Sequence, residues 1–152
     1  MRVAILDSPF EPLDEIKGFE EANAESGAIA TFIGRCRPRS RGAAVASLEL
    51  QHYPGFTEQE IARFLEQTVS VSGLRDALVI HRVGSIAPGE AIVLVAAASD
   101  HRRAALQAVE ALIDFLKTEA PLWKREITEA GEQWVEPTPL DYQRRQGKTA
   151  NP

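Results

Sequence analysis

The chain has 152 residues, a net charge of −5, 44% hydrophobic and 26% charged residues, and a single cysteine. Such a length suits one domain that buries about two-thirds of its unfolded surface, and the composition excludes a wholly disordered chain. The acidic balance argues against a general nucleic-acid binder while leaving room for a local basic patch, and a lone cysteine excludes an internal disulfide framework.

Arg2 to Leu6 reads as a short apolar strand. Leu13, Ile16 and Phe19 recur at helical spacing, and Pro12 suits a first turn, so a helix is predicted over Pro12 to Glu25. Ala28 to Ile33 is apolar almost throughout, as in a strand buried on both faces. Arg35 to Ala44 is read as a loop, and Val45 to Tyr53 as a strand of alternating polarity broken by Pro54-Gly55. Ile61, Phe64, Leu65 and Val69 mark an amphipathic helix ending near Gly73. Ala77 to Val83 and Ala91 to Ala98 are strands joined through Pro88-Gly89, the pattern of a hairpin. Ala105, Val109, Leu112, Ile113 and Leu116 mark a third helix that Ser99 or Asp100 can cap. Beyond Pro121, which stops it, come strands near Trp123 to Thr128 and Gln133 to Glu136. The order specifies a mixed α+β domain over residues 1–136, with 137–152 expected to be a polar, mobile tail. The N-terminal apolar run is too short for a secretion signal, and Ala91 to Ala98 falls far below the ~20 residues of a membrane span. A soluble cytoplasmic protein without membrane contact is the expectation.

Three cationic groups stand out. Arg35, Arg37, Arg39 and Arg41 alternate, and in an extended segment they would share one side, a row that suits phosphate. Arg35 and Arg37 end an apolar strand, whereas Arg39 and Arg41, past Pro38, suit a solvated loop equally well. His101, Arg102 and Arg103 open the long helix, where cations oppose the helix dipole and a bound anion would reconcile them. Lys117 and Lys124 flank Pro121, so one ends a helix and the other begins an extended segment beside Trp123. For an amine to act at neutral pH its pKa must fall by roughly 3 units, which burial and clustered arginines can achieve. Cys36 lies between two arginines that favour thiolate. The three histidines lack zinc-site spacing, and neither a phosphate-binding glycine loop nor a dinucleotide fingerprint is present.

The segments TFIGRCR, LELQHYPGF, IHRVGSIAPGE, SDHRRA and LKTEAPLWKRE, in this order over roughly residues 2–136, resemble the catalytic, large subunit of molybdopterin synthase. The resemblance implies an α/β hammerhead fold with an additional antiparallel β-subdomain. It implies transfer of sulfur to cyclic pyranopterin monophosphate (precursor Z), forming the molybdopterin dithiolene. The sulfur would come as a thiocarboxylate on the C-terminal Gly-Gly of a small ubiquitin-like carrier subunit. It also implies a homodimer within a heterotetramer, and no metal or organic cofactor at this step. By motif, Lys117 and Lys124 match the catalytic lysines, and Arg37, His101 and Arg102 match the substrate-binding cations, some of them acting across the dimer interface. Gln51, where an acidic residue is expected, and Phe56, where Met is common, depart from the pattern. Two readings compete. One is a non-enzymatic phosphate or nucleic-acid binding module built on Arg35 to Arg41. The other is a sulfur-handling enzyme with Cys36 as nucleophile.

Overall fold

The computed structural model describes residues 1–147. Two sheets and four helices follow one another as β1 (Arg2–Leu6), α1 (Pro12–Ala22), β2 (Ala28–Arg35), β3 (Arg39–Ser40), β4 (Ala43–His52), α2 (Phe56–Ser72), β5 (Asp76–Arg82), β6 (Gly84–Ile86), β7 (Ala91–Ser99), α3 (Arg102–Thr118), β8 (Leu122–Thr128), β9 (Gly131–Val135) and α4 (Pro139–Gly147). The first sheet has the order β1-β5-β7-β2, with β1 parallel to β5 and the other pairs antiparallel. The second runs β3-β4-β8-β9, with β6 pairing β4. The mixed α+β architecture agrees with the expected class.

Strand alternation explains why β5 and β7 are apolar at nearly every position. Ala77 and Val79 of β5, with Val95 and Ala97 of β7, face α2 and α3 through Ile61, Leu65, Ala108, Leu112 and Phe115. Leu78 and Ile80, with Leu94, Ala96 and Ala98, face the opposite way, where Phe19 and Ile16 of α1 cover them. Period-2 geometry thus feeds two cores from one continuous run. A third, smaller core joins the sheets through Cys36, Val45, Leu48, Leu50 and Ile86.

The helices begin and end for local reasons. In α2 the Glu58 carboxylate accepts the Gly55 N–H at 2.7 Å, and Gly73 at φ +63° closes the C-terminus, where only a residue without Cβ sits freely. Helix α1 stops at Ala22, earlier than the predicted Glu25, because the Asn23 amide turns back to donate to the Phe19 carbonyl and to Asp76. His101 rather than Ser99 or Asp100 is the N-cap residue of α3, and Asp100 is drawn away into an ion pair with Arg75. The β5–β7 hairpin forms as expected, with the unexpected strand β6 inserted in its connection and hydrogen-bonded to β4.

The segment read as a polar tail forms α4, which packs on α3. Thr138 precedes it, Pro139 occupies the first position, and Asp141 reaches back to accept from the Thr138 N–H at 2.8 Å. Residues 148–152 of that expected tail lie outside the described residues.

Candidate functional site

Strand β8 builds the site. It pairs with β4 from His52↔Leu122 to Val45↔Thr128, and its side chains alternate across the sheet. Lys124 and Glu126 point inward, where they share a small pocket with Arg35, Cys36, Arg37, Val45, Leu48 and Ile92. Trp123 and Arg125 occupy the other face. There the Trp123 ring meets Tyr53 edge-on at 5.1 Å, and the Arg125 guanidinium lies 5.6 Å from the Trp134 ring centre. The indole next to Lys124 in sequence therefore belongs to the outer surface and does not line the amine's pocket.

The Lys124 ammonium titrates below the ordinary lysine range. Burial is the principal cause, Arg37 and Lys117 push the same way, and Glu126 and Cys36 oppose it. This is the combination that primes an amine for proton transfer. It brings Lys124, Arg37 and Lys117 into one electrostatic neighbourhood. Cys36 behaves contrary to the expectation of a thiolate. Its side chain is only 4% exposed, and burial raises its pKa against the lowering effect of Lys124, with Glu126 and Glu90 adding to the rise. A protonated, enclosed thiol is a poor nucleophile.

Lys117 lies in the last turn of α3, as the sequence implied, with its side chain 57% exposed. Its Nζ donates to Asp141 Oδ1 at 2.7 Å. Asp141 is buried, and Lys117 together with Thr138 holds its carboxyl at a pKa of about 2. Sequence reasoning missed Asp141 entirely. The signal was present in Thr138-Pro139-Leu140-Asp141, a cap residue, a first-turn proline and an acid at the third helical position.

The arginine row is not a row. A bulge separates Gly34 from Arg35, and the chain reverses at Arg41 and Gly42, which both adopt positive φ, +48° and +85°. Arg35 donates to the Gly89 carbonyl at 2.9 Å and Arg39 to the Gly42 carbonyl at 2.6 Å. Only Arg37 of the four combines exposure with a position at the Lys124 pocket and an influence on its amine. His101 and Arg102 lie at the opposite end of α3 from Lys117, exposed to solvent. Fifteen residues at 1.5 Å each put Arg102 roughly 22 Å from Lys117 along the axis. A single chain thus places Arg37 and Lys124 on one pocket, with Lys117 within electrostatic reach of Lys124, and leaves His101 and Arg102 at the far end of α3. The pocket itself encloses ≈ 20 Å³, room for about one water.

Among the described residues no cluster of three His, Cys, Asp or Glu side chains is arranged to hold a metal ion, and no helix is long and apolar enough to cross a membrane.

Fold and site together define a two-sheet α+β protein with a cationic pocket where Arg37, past the end of β2, meets Lys124 of the interior strand β8. The family model described as "MoaE protein" matches residues 6–119. The molybdopterin synthase catalytic subunit of Caulobacter vibrioides is 48% identical over 141 residues, covering 93% of each chain. The solved structure of the molybdopterin biosynthesis MoaE protein from Burkholderia ambifaria superposes with a TM-score of 0.78 at 35% identity, covering 95% of this chain and 97% of that one. A Helicobacter pylori structure, described as a complex of subunits 1 and 2 of molybdopterin-converting factor, shares the fold at a TM-score of 0.75 and 18% identity, with 88% of this chain and 89% of that one covered. The chain belongs to the MoaE family.

Proposed function

We propose that this chain is the catalytic subunit of a molybdopterin synthase, a sulfurtransferase that converts precursor Z into the molybdopterin dithiolene. The observation that carries the proposal is Lys124, an amine depressed by burial and by Arg37 in the same pocket, with Lys117 near enough to contribute. The donor would be a small ubiquitin-like carrier with a C-terminal Gly-Gly thiocarboxylate. The two-subunit complex described for the Helicobacter pylori relative supports a partner of this kind.

Lys117 meets the end of the carrier tail. Its ammonium orients the thiocarboxylate and stabilises the oxyanion that develops as the acyl carbon becomes tetrahedral. Lys124 exchanges a proton with the pterin as its ring opens, a role typically worth about 10²–10⁴ in rate. Arg37 holds the substrate phosphate.

His101 and Arg102 join Arg37 from a second copy of the chain. A two-fold dimer repeats the same contact on both subunits, so a helix N-terminus remote from its own lysines can complete the partner's pocket. The ≈ 20 Å³ enclosed by one chain also favours this reading, because ligand sites commonly occupy about 300–1,000 Å³. The assembly is then a homodimer with one carrier at each end.

The test mixes purified chain, thiocarboxylated carrier and precursor Z and assays dithiolene formation. Lys117→Ala and Lys124→Ala should each abolish product while leaving carrier binding and dimerisation near wild type. Near-normal turnover by both variants refutes the proposal. The polyanion-binding alternative predicts instead a steep salt dependence of affinity for generic nucleic acid.

A further inference from the structure

The Lys117–Asp141 pair joins the last turn of α3 to a helix that the sequence does not advertise. Among the described residues, Asp141 is the hydrogen-bond partner seen for this ammonium. More than half of its side chain is exposed, and its stem has four rotatable bonds. The helix end offers little competition, because the Asp114 carbonyl accepts from the Thr118 hydroxyl at 2.7 Å and the Phe115 carbonyl takes the N–H groups of Glu119 and Ala120. Asp141 is the opposite case. Its Oδ2 accepts from the Thr138 N–H at 2.8 Å and from the Thr138 hydroxyl at 2.7 Å, which fixes the carboxylate plane. Its Oδ1 is then aimed at Lys117 Nζ. A rigid, buried anion therefore holds a flexible, exposed cation.

Resting on the proposed sulfurtransferase reading, we infer that Asp141 is a positioning residue for the transfer step, fixing Lys117 so that its ammonium faces the incoming carrier tail. An ammonium has three donors, and Asp141 takes one. Two remain for the thiocarboxylate and the developing oxyanion. Helix α4 thereby becomes part of the catalytic apparatus although Asp141 itself need not touch substrate.

The experiment separates positioning from simple stapling of α4. Asp141→Asn keeps a carbonyl oxygen that can accept from Thr138 but removes the charge that holds Lys117. Thr138→Val removes the hydroxyl bond and leaves the ion pair. Dithiolene formation is measured with saturating thiocarboxylated carrier and varied precursor Z, alongside the Lys117 side-chain ammonium signal in ¹⁵N NMR.

Asp141→Asn should lower kcat roughly 10- to 100-fold with KM for precursor Z changed by less than about twofold, the size of effect expected from a misplaced reactive group. Asp141→Glu, which retains the charge, should recover part of that loss. Thr138→Val should lower Tm and cost clearly less kcat than Asp141→Asn, because the N–H bond to the carboxylate and the charge-assisted pair both persist. The ammonium signal should survive in Thr138→Val and fade in Asp141→Asn. Wild-type or raised kcat in Asp141→Asn, or an equal kcat loss in Thr138→Val, overturns the inference. An inactive Lys117→Ala beside a fully active Asp141→Asn defeats only this inference, whereas an active Lys117→Ala defeats the sulfurtransferase reading of Lys117 as well.

Discussion

His81 gives the structure a built-in pH response. It sits in β5, opposite Ile5 on one neighbouring strand and Val93 on the other, and is only 7% exposed. Its Nδ1 lies 2.8 Å from the Arg82 carbonyl, which can only accept, so Nδ1 carries a proton. Burial lowers its pKa from 6.5 to about 4, Lys124 and His52 add to the lowering, and the Arg82 carbonyl opposes it. The folded state therefore refuses a proton that the unfolded chain accepts between those values. Stability is full above pH 6.5 and declines as pH falls toward 4. Integrating the linkage, the loss between pH 7 and pH 5 is about 2 kcal/mol, and its limit below pH 4 is about 3 kcal/mol. The measurement is urea unfolding of wild type and His81→Phe at half-unit steps from pH 5 to 7.5. The phenyl ring has no proton to take up in either state, so the stability of wild type minus that of the variant should fall by about 2 kcal/mol on acidification, whatever its value at neutral pH. Curves that stay parallel within about 0.5 kcal/mol refute a neutral, buried imidazole.

Gly27 opens β2 against the segment before α3, and a Cβ placed there would lie 2.3 Å from the Asp100 carbonyl oxygen. Since the obstacle is backbone, Gly27→Ala should destabilise by about 1–3 kcal/mol, read as a lower urea midpoint with unchanged m-value. The enclosed, protonated Cys36 predicts that Cys36→Ala keeps near wild-type dithiolene formation and that the native thiol alkylates slowly compared with the urea-unfolded chain. Inactivation by the substitution, or rapid native alkylation, would instead restore the nucleophile reading.

The fold was legible wherever one residue's environment repeats along an element. Leu112 and Phe115 follow helical spacing, and Ala91 to Ala98 is apolar because both faces of β7 are covered. What escaped depended on partners distant in sequence. Strand β6 is three residues long and exists because Leu48 and Leu50 of β4 lie alongside it. The N-cap residue of α3 moved to His101 as Asp100 was captured by Arg75, twenty-five residues earlier. Helix α4 has low hydrophobicity, so periodicity is silent, and only its capping residues and the buried Asp141 betray it.

The site divides along the same line. Motif and bend placed Lys117 and Lys124 on a helix end and a strand, and the structure sets Arg37 on the pocket of Lys124. The arginine alternation misled, because alternation implies a common side only while the chain stays extended, and Arg41-Gly42 reverses it. The competing reading of Cys36 as a nucleophile loses ground for an energetic reason. Two arginines flank it in sequence, yet what governs the thiol is desolvation by burial, which outweighs the lowering effect of Lys124. Lys124 obeys the same rule with the opposite consequence. Removal from water disfavours whichever form is charged, so one enclosure keeps the thiol protonated and inclines the amine to lose its proton. A pocket that silences its sulfur while readying its nitrogen suits a reaction in which sulfur is delivered from outside, on a carrier, and the chain itself supplies proton transfer and charge.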